Sequence, residues 1–240
     1  MKLLHLYHDI MNLYGEYANV SALERIISNS GENVEIDRIS LGDTADLQAY
    51  DFIYIGSGTE DNQKLVLEDF AKYKDSIAEY INSNKPALFT GNSFEMLGKT
   101  IKDCNGKEYE GLGIFDFQVI EQNKRRVTAD IVYTADFLNK PVVGFVNKCS
   151  EIKGVDSHLF QVKYGIGDST DSTNEGIRSN SFFGTHVTGP ILIKNPHLLL
   201  YIAQLISNNT SGFAVSTEHL QRENSAYEIT LRELNKRYAQ

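Results

Sequence analysis

Asp51 to Gln63 reads DFIYIGSGTEDNQ. Phe52 to Ile55 is an unbroken apolar run, the pattern of a parallel strand covered on both faces rather than half-exposed. Gly56-Ser57-Gly58 follows at once, and a long amphipathic stretch, Asn62 to Asn82, reads as a helix. Strand, glycine turn, helix is one unit of a βαβ fold, and the flanking sequence repeats it. Upstream, Leu3–Tyr7 is strand-like. Ala18–Asn29 carries apolar residues at 20, 23, 26 and 27, a helical spacing closed by Gly31, and Asn33–Ile39 is a further strand. Downstream, Pro86–Thr90 is the fourth. The alternation predicts an α/β, flavodoxin-like, mostly parallel doubly wound sheet with crossover helices.

After residue 100 the rhythm changes. KDCNGKEYEGLGIFDF (102–117) is dense in turn residues. It leads into Gln118–Ile120, Val127–Tyr133 and Val142–Asn147 with no helical pattern between them, which predicts an antiparallel excursion. Helices return at Pro196–Asn208 and from Thr217 to about Tyr238. No repeat or linker divides the chain, so residues 1–240 are expected to form a single domain, with C-terminal helices over about 196–240.

A net charge of −9 argues against a nucleic-acid or anionic-membrane surface. The run Lys124-Arg125-Arg126 reads as a solvated strand end. No apolar run reaches the roughly 20 residues of a membrane span, and the start of the chain has no signal-peptide pattern, so a cytoplasmic protein is expected. Cys104 and Cys149 do not make a disulfide framework.

Four stretches could carry chemistry. Gly56, Ser57 and Gly58 lie at a strand's carboxyl end, where ligands gather in open α/β sheets, and their N–H groups could face an oxyanion. The plainer reading is a tight turn. PALFTGNSFEMLG (86–98) is again strand, glycine turn, helix, the shape that lifts a nucleophile off a sheet edge. SFFGTHVTGP (181–190) delivers His186 beside Gly189-Pro190, as a base or as a structural imidazole. The fourth, Tyr7–Gly15, is a polar-aromatic loop. Asp168–Glu175, DSTDSTNE, reads as a solvated acidic loop; its spacing is not that of an EF-hand calcium loop. No metal or cofactor is expected.

In this order, YHDIMNLYGEYANVSAL (7–23), IGSGTEDNQ (55–63), EGLGIFDF (110–117), VVGFVNK (142–148), NEGIRSNSFFGT (174–185) and TGPILIKNP (188–196) resemble the class I glutamine amidotransferases. The likeness is greatest to their cobyric-acid-synthase-like branch, which includes the amidotransferase subunit of lipid II isoglutaminyl synthase. The resemblance covers nearly the whole chain. It implies an elbow Cys that attacks glutamine, a His that activates it, a GSG-type loop that holds the oxyanion, and ammonia passed to an ATP-dependent synthetase.

The departures fall at the reactive positions. Anchored on Leu97-Gly98, the elbow places Gly91 where that resemblance implies Cys. Anchored on Gly189-Pro190, Thr188 stands where it implies His, and Asn147-Lys148 replaces Asn-His. Glycine at 91 would keep a strained turn while deleting the nucleophile. The expectation is an amidotransferase-like protein without a Cys–His pair, acting as a partner-binding or ligand-binding subunit. Its expected partner is a Mur-ligase-like or other ATP-dependent synthetase. Gly56, Ser57, Gly58, Gln63, Asn92 and Arg126 would form a crevice for a glutamine-like molecule. The rival is an active amidotransferase or hydrolase using a displaced Ser93/His186 pair and supplying ammonia to an ATP-dependent synthetase in peptidoglycan (cell-wall) or corrinoid amidation; His186 and Thr188 would share one strand face, but roughly 6–7 Å apart along it. Cys149 as a relocated nucleophile is the weaker version of that idea.

Overall fold

A computed structural model describes residues 1–122 and 126–239. Lys124 and Arg125 of the basic run lie outside these residues. The first half builds β1 (Lys2–Leu6), α1 (Tyr17–Asn29), β2 (Glu35–Ile39), β3 (Phe52–Ile55), α2 (Glu60–Phe70), α3 (Lys74–Asn82) and β4 (Ala87–Thr90). β3 and β4 are buried at every residue, as their apolar runs require. Thr59 starts α2 two residues earlier than the apolar pattern suggests, because its hydroxyl accepts from the Asn62 N–H. The expected single helix over 62–82 is broken. A 3-10 turn at Ala71–Tyr73 separates α2 from α3, and Phe70, Tyr73 and Ile77 all stay buried.

The second half contains β5 (Thr100–Lys102), β6 (Glu108–Glu110), β7 (Gln118–Glu121), β8 (Val127–Thr134), β9 (Val142–Lys148), β10 (Ser150–Lys153), β11 (Phe160–Tyr164), β12 (Asn174–Glu175), β13 (Ile177–Ser179), β14 (Phe182–Thr185) and β15 (Val187–Thr188). α4 (Ile191–Lys194), α5 (Pro196–Asn208) and α6 (Gln221–Tyr238) follow.

The main sheet has the order β13-β14-β4-β3-β1-β2, parallel except for β13. Its parallel part is the flavodoxin-like order, whose switch point lies between β1 and β3. The excursion is more than an attachment to that sheet. It forms two further sheets, β10-β7-β5-β6 and β12-β11-β8-β9-β15. Apolar clusters fill both faces of the main sheet, and α6 packs Tyr227 and Leu234 on Val132 and Val143. Among the described residues no helix is long and apolar enough to cross a membrane.

β1 buries an imidazole. His5 is 2% exposed, its Nε2 has no hydrogen-bond partner among the described residues, and its ring meets Tyr54 edge-on at 5.1 Å. Burial foremost, with the charges of His8 and Arg38, lowers it to about 3. An unfolded His titrates near ~6.5, so between those values the unfolded chain binds the extra proton. Stability is therefore full above pH ~6.5 and falls on acidification, by a few kcal/mol near pH 4. Melting temperature measured against pH for the parent and His5→Phe should show a flatter acid limb in the variant. Identical limbs would count against this account.

Candidate functional site

β4 delivers the chain into the elbow at the carboxyl edge of the sheet. Gly91 follows Thr90 with φ +64° and opens a 3-10 helix, Gly91–Leu97. That backbone conformation suits glycine, which has no Cβ to clash. The space where a side chain at 91 would project is already filled. A Cβ built on Gly91 overlaps the Ser57 Cβ and lies 3.1 Å from both its Cα and Oγ. Ser57 is buried, and its Oγ has no partner among the described residues.

The GSG loop is likewise committed. The Gly58 N–H donates to Asn92 Oδ1 at 3.0 Å, and the Ser57 carbonyl accepts from the Leu13 N–H at 2.9 Å. Gly56 and Gly58 lie so close to the Met11 carbonyl and Met11 Sδ that a Cβ at either would collide. Gln63 is fully buried and donates to the Asn92 carbonyl and to Glu95 Oε2 at 2.6 and 2.7 Å. Of the donors expected to face a ligand, the Gly58 N–H and the Gln63 amide therefore bond inward to the protein.

Under the elbow sits Glu16, fully buried. It accepts from Tyr54 Oη at 2.7 Å, from Thr90 Oγ1 and from the Gly189 N–H at 2.6 Å. Burial raises its carboxyl above the usual range despite these donors and the Lys194 charge. Nothing in the YGEYANV stretch marked Glu16 as buried. Its partners come from three distant segments.

The Ser93/His186 pair does not form. Ser93 Oγ donates to the Ile55 and Thr90 carbonyls at 3.1 and 2.8 Å. His186 Nε2 meets Glu95 Oε1 at 2.9 Å, and its ring packs edge-on to Phe94. The shared-face argument for His186 and Thr188 also fails. β14 pairs with β4 in the main sheet, whereas β15 pairs with β9 in another, and the chain switches sheets at His186. Period-2 alternation does not extend across such a break. Thr188 is buried and donates to the Phe145 carbonyl.

A family model for the CobB/CobQ-like glutamine amidotransferase domain matches residues 2–196. The chain belongs to that family. The GatD subunit of the glutamine-hydrolysing lipid II isoglutaminyl synthase of Streptococcus pneumoniae is 31% identical over 201 residues, 82% of this chain and 77% of that protein. Its Staphylococcus aureus counterpart is 30% identical over 204 residues, 85% and 83% of the two chains. Solved structures share the fold at low identity. Thermotoga maritima PurLQS has TM-score 0.59 at 14% identity, covering 87% of this chain and 98% of that one. The Trypanosoma brucei CTPS glutaminase domain with bound acivicin has TM-score 0.56 at 12%, covering 92% and 98%.

Around the family's crevice, the remaining polar groups also pair with one another. Arg126 bonds to Glu60 and to Asn147 Oδ1 at 3.1 Å, and Asn147 Nδ2 donates to Tyr14 Oη at 2.7 Å. Cys149 lies beside Glu60, and burial with that carboxylate pushes its thiol up to about 12, so it is no thiolate nucleophile. A narrow cavity of about 20 Å³ lies between Gly58, Gly91, Asn92, Arg126 and His186, and a wider one of about 510 Å³ adjoins it at Arg126, Lys148, Cys149 and Ser150.

Behind it lies a buried charge cluster that the sequence did not reveal. Ser150 Oγ, His186 Nε2 and Gln63 Nε2 converge on Glu95. Burial alone would raise Glu95, but His186 first, then Ser150 and Gln63, hold it below its ordinary value. Lys148, 5% exposed, donates to the Gly167 and Asp168 carbonyls at 2.7 and 2.8 Å, and burial lowers its ammonium. The 168–175 loop is not simply solvated. Asp168 and Glu175 at its ends are 2% and 0% exposed, because their carboxylates receive the Gly176 and His186 N–H groups and Thr185 Oγ1.

Proposed function

We propose that this chain is an amidotransferase-family subunit that no longer hydrolyses glutamine and works in the cytoplasm by binding an ATP-dependent, Mur-ligase-like synthetase. The observation that carries the loss of chemistry is the filled slot at the elbow: Ser57 occupies the volume a nucleophile at position 91 would need. Covalent catalysis requires a nucleophile and a base within about 3 Å of each other. Gly91 has no side chain, and Thr188 offers a hydroxyl bound to a carbonyl. The partner assignment is supported by the relatives, both named as subunits of a lipid II isoglutaminyl synthase. The rival active site is disfavoured because Ser93 donates to two carbonyls rather than to an imidazole.

Purified chain, alone and with a co-expressed synthetase subunit, is expected to release no ammonia from glutamine above the buffer rate. Release that is abolished by Ser93→Ala or His186→Ala would reverse the reading. Because Gly58, Gln63 and Arg126 already bond to other protein groups, millimolar glutamine should leave the melting temperature unchanged. A saturable rise would show that the crevice opens to bind it.

A further inference from the structure

The catalytic reading leaves the buried cluster behind the crevice unused. Asp168, Glu175 and His186 each place one ligand-type atom within 4.8 Å of the others, and all three residues are buried. Two atoms aimed into this space, Asp168 Oδ2 and His186 Nδ1, have no hydrogen-bond partner among the described residues. His158 Nδ1, also without one, lies 3.2 Å from Asp168 Oδ2. His186 Nδ1 lies 3.4 Å from Glu175 Oε1.

We infer that Asp168, Glu175, His186 and His158 form a structural site for one divalent transition-metal cation, with zinc the best match to the donors. Two imidazoles and two carboxylates suit tetrahedral zinc, at bond lengths of about 2.0–2.2 Å and ligand separations near ~3.5 Å. The inner shell is already oriented. His186 Nε2 is engaged by Glu95, which Ser150 and Gln63 hold in turn, leaving Nδ1 to face the site. A carboxylate behind a ligating imidazole is the usual support for such a ligand.

Glu95, Glu175 and Asp168 set three buried carboxylates against the single ammonium of Lys148. Lys148 Nζ is tied to backbone carbonyls beside the carboxylates, so it does not itself occupy the ligand positions. His158, with a side chain 30% exposed, gives an entry path from solvent. Four protein ligands leave no open position, so the role is structural. The cation would clamp the 168–175 loop and the segment before β11 to the β14–β15 junction.

The test uses the full chain, stripped with chelator, re-equilibrated with zinc chloride and dialysed. Elemental analysis should find about one zinc per chain, and the melting temperature should rise over the stripped protein. Cobalt(II) should give the intense visible bands of a tetrahedral site. Asp168→Asn should cut zinc affinity at least tenfold, and the half-buried His158→Asn, which spares the core, should do the same with an unchanged circular dichroism spectrum. Zinc far below one per chain would overturn the proposal. So would stoichiometric zinc that both variants bind as tightly as the parent.

Discussion

A Gly91→Cys chain is expected to be less stable than its parent and still unable to release ammonia from glutamine. Two costs act together. A non-glycine residue at φ +64° costs about 1–2 kcal/mol. A Cβ pressed into Ser57 costs about 1–3 kcal/mol more, because the well-packed turn cannot move aside. For a chain of this size each kcal/mol lowers the melting temperature by roughly 2–4 °C, so the single variant should melt roughly 5–15 °C lower. Adding Ser57→Gly removes the overlap and should recover about half of the loss while exposing the new thiol. The coupling between the two substitutions is the decisive quantity: positions that compete for one volume are strongly non-additive. If the single variant melts with the parent, the slot is open and the inert-elbow account fails. Glutaminase activity in the single variant would sink it too.

The second large effect is expected at Glu95, for the opposite reason. Its side chain is 2% exposed and gathers donors from Gln63, Ser150 and His186. Glu95→Ala strands all three in a dry interior. Breaking a buried, hydrogen-bonded charge pair from one side costs about 3–5 kcal/mol, a fall of roughly 10 °C in melting temperature. Glu95→Gln keeps one acceptor oxygen and should recover part of this. The pH dependence has a definite sign. The folded Glu95 carboxyl titrates below an unfolded glutamate, so its contribution is present above about pH 4.5 and is lost as pH falls through its lowered folded value. Denaturant midpoints for the parent and Glu95→Gln should therefore converge in acid. A gap that widens below pH 4.5 would show that Glu95 is not the group stabilised as an anion.

Much of the architecture was legible before any coordinates. The short runs at 52–55 and 87–90, bounded by glycine turns, read as doubly covered strands, and the turns after them mark the carboxyl edge. The helical spacing in 18–29 is local information, as is the Gly31 stop. The anchoring that sets Gly91 and Thr188 at the positions where the resemblance implies Cys and His is also local, resting on motifs a few residues away. The break between α2 and α3 was not legible, because helical apolar spacing persists through a 3-10 turn.

What tertiary structure alone decided is which groups face one another. Ser57 is an ordinary turn residue in sequence, and only the parallel β3–β4 pairing brings it against Gly91. Asn92 and Gly58 read as ligand donors until their mutual hydrogen bond is seen. Asp168, Glu175 and His186 looked like a wet loop and a strand-end imidazole. The chain's switch between sheets at His186 buries them together. Periodicity and turn chemistry are set by neighbours in the chain, so a sequence carries them openly. Burial and charge pairing are set by which distant segments the sheets bring into contact, and no local pattern encodes that.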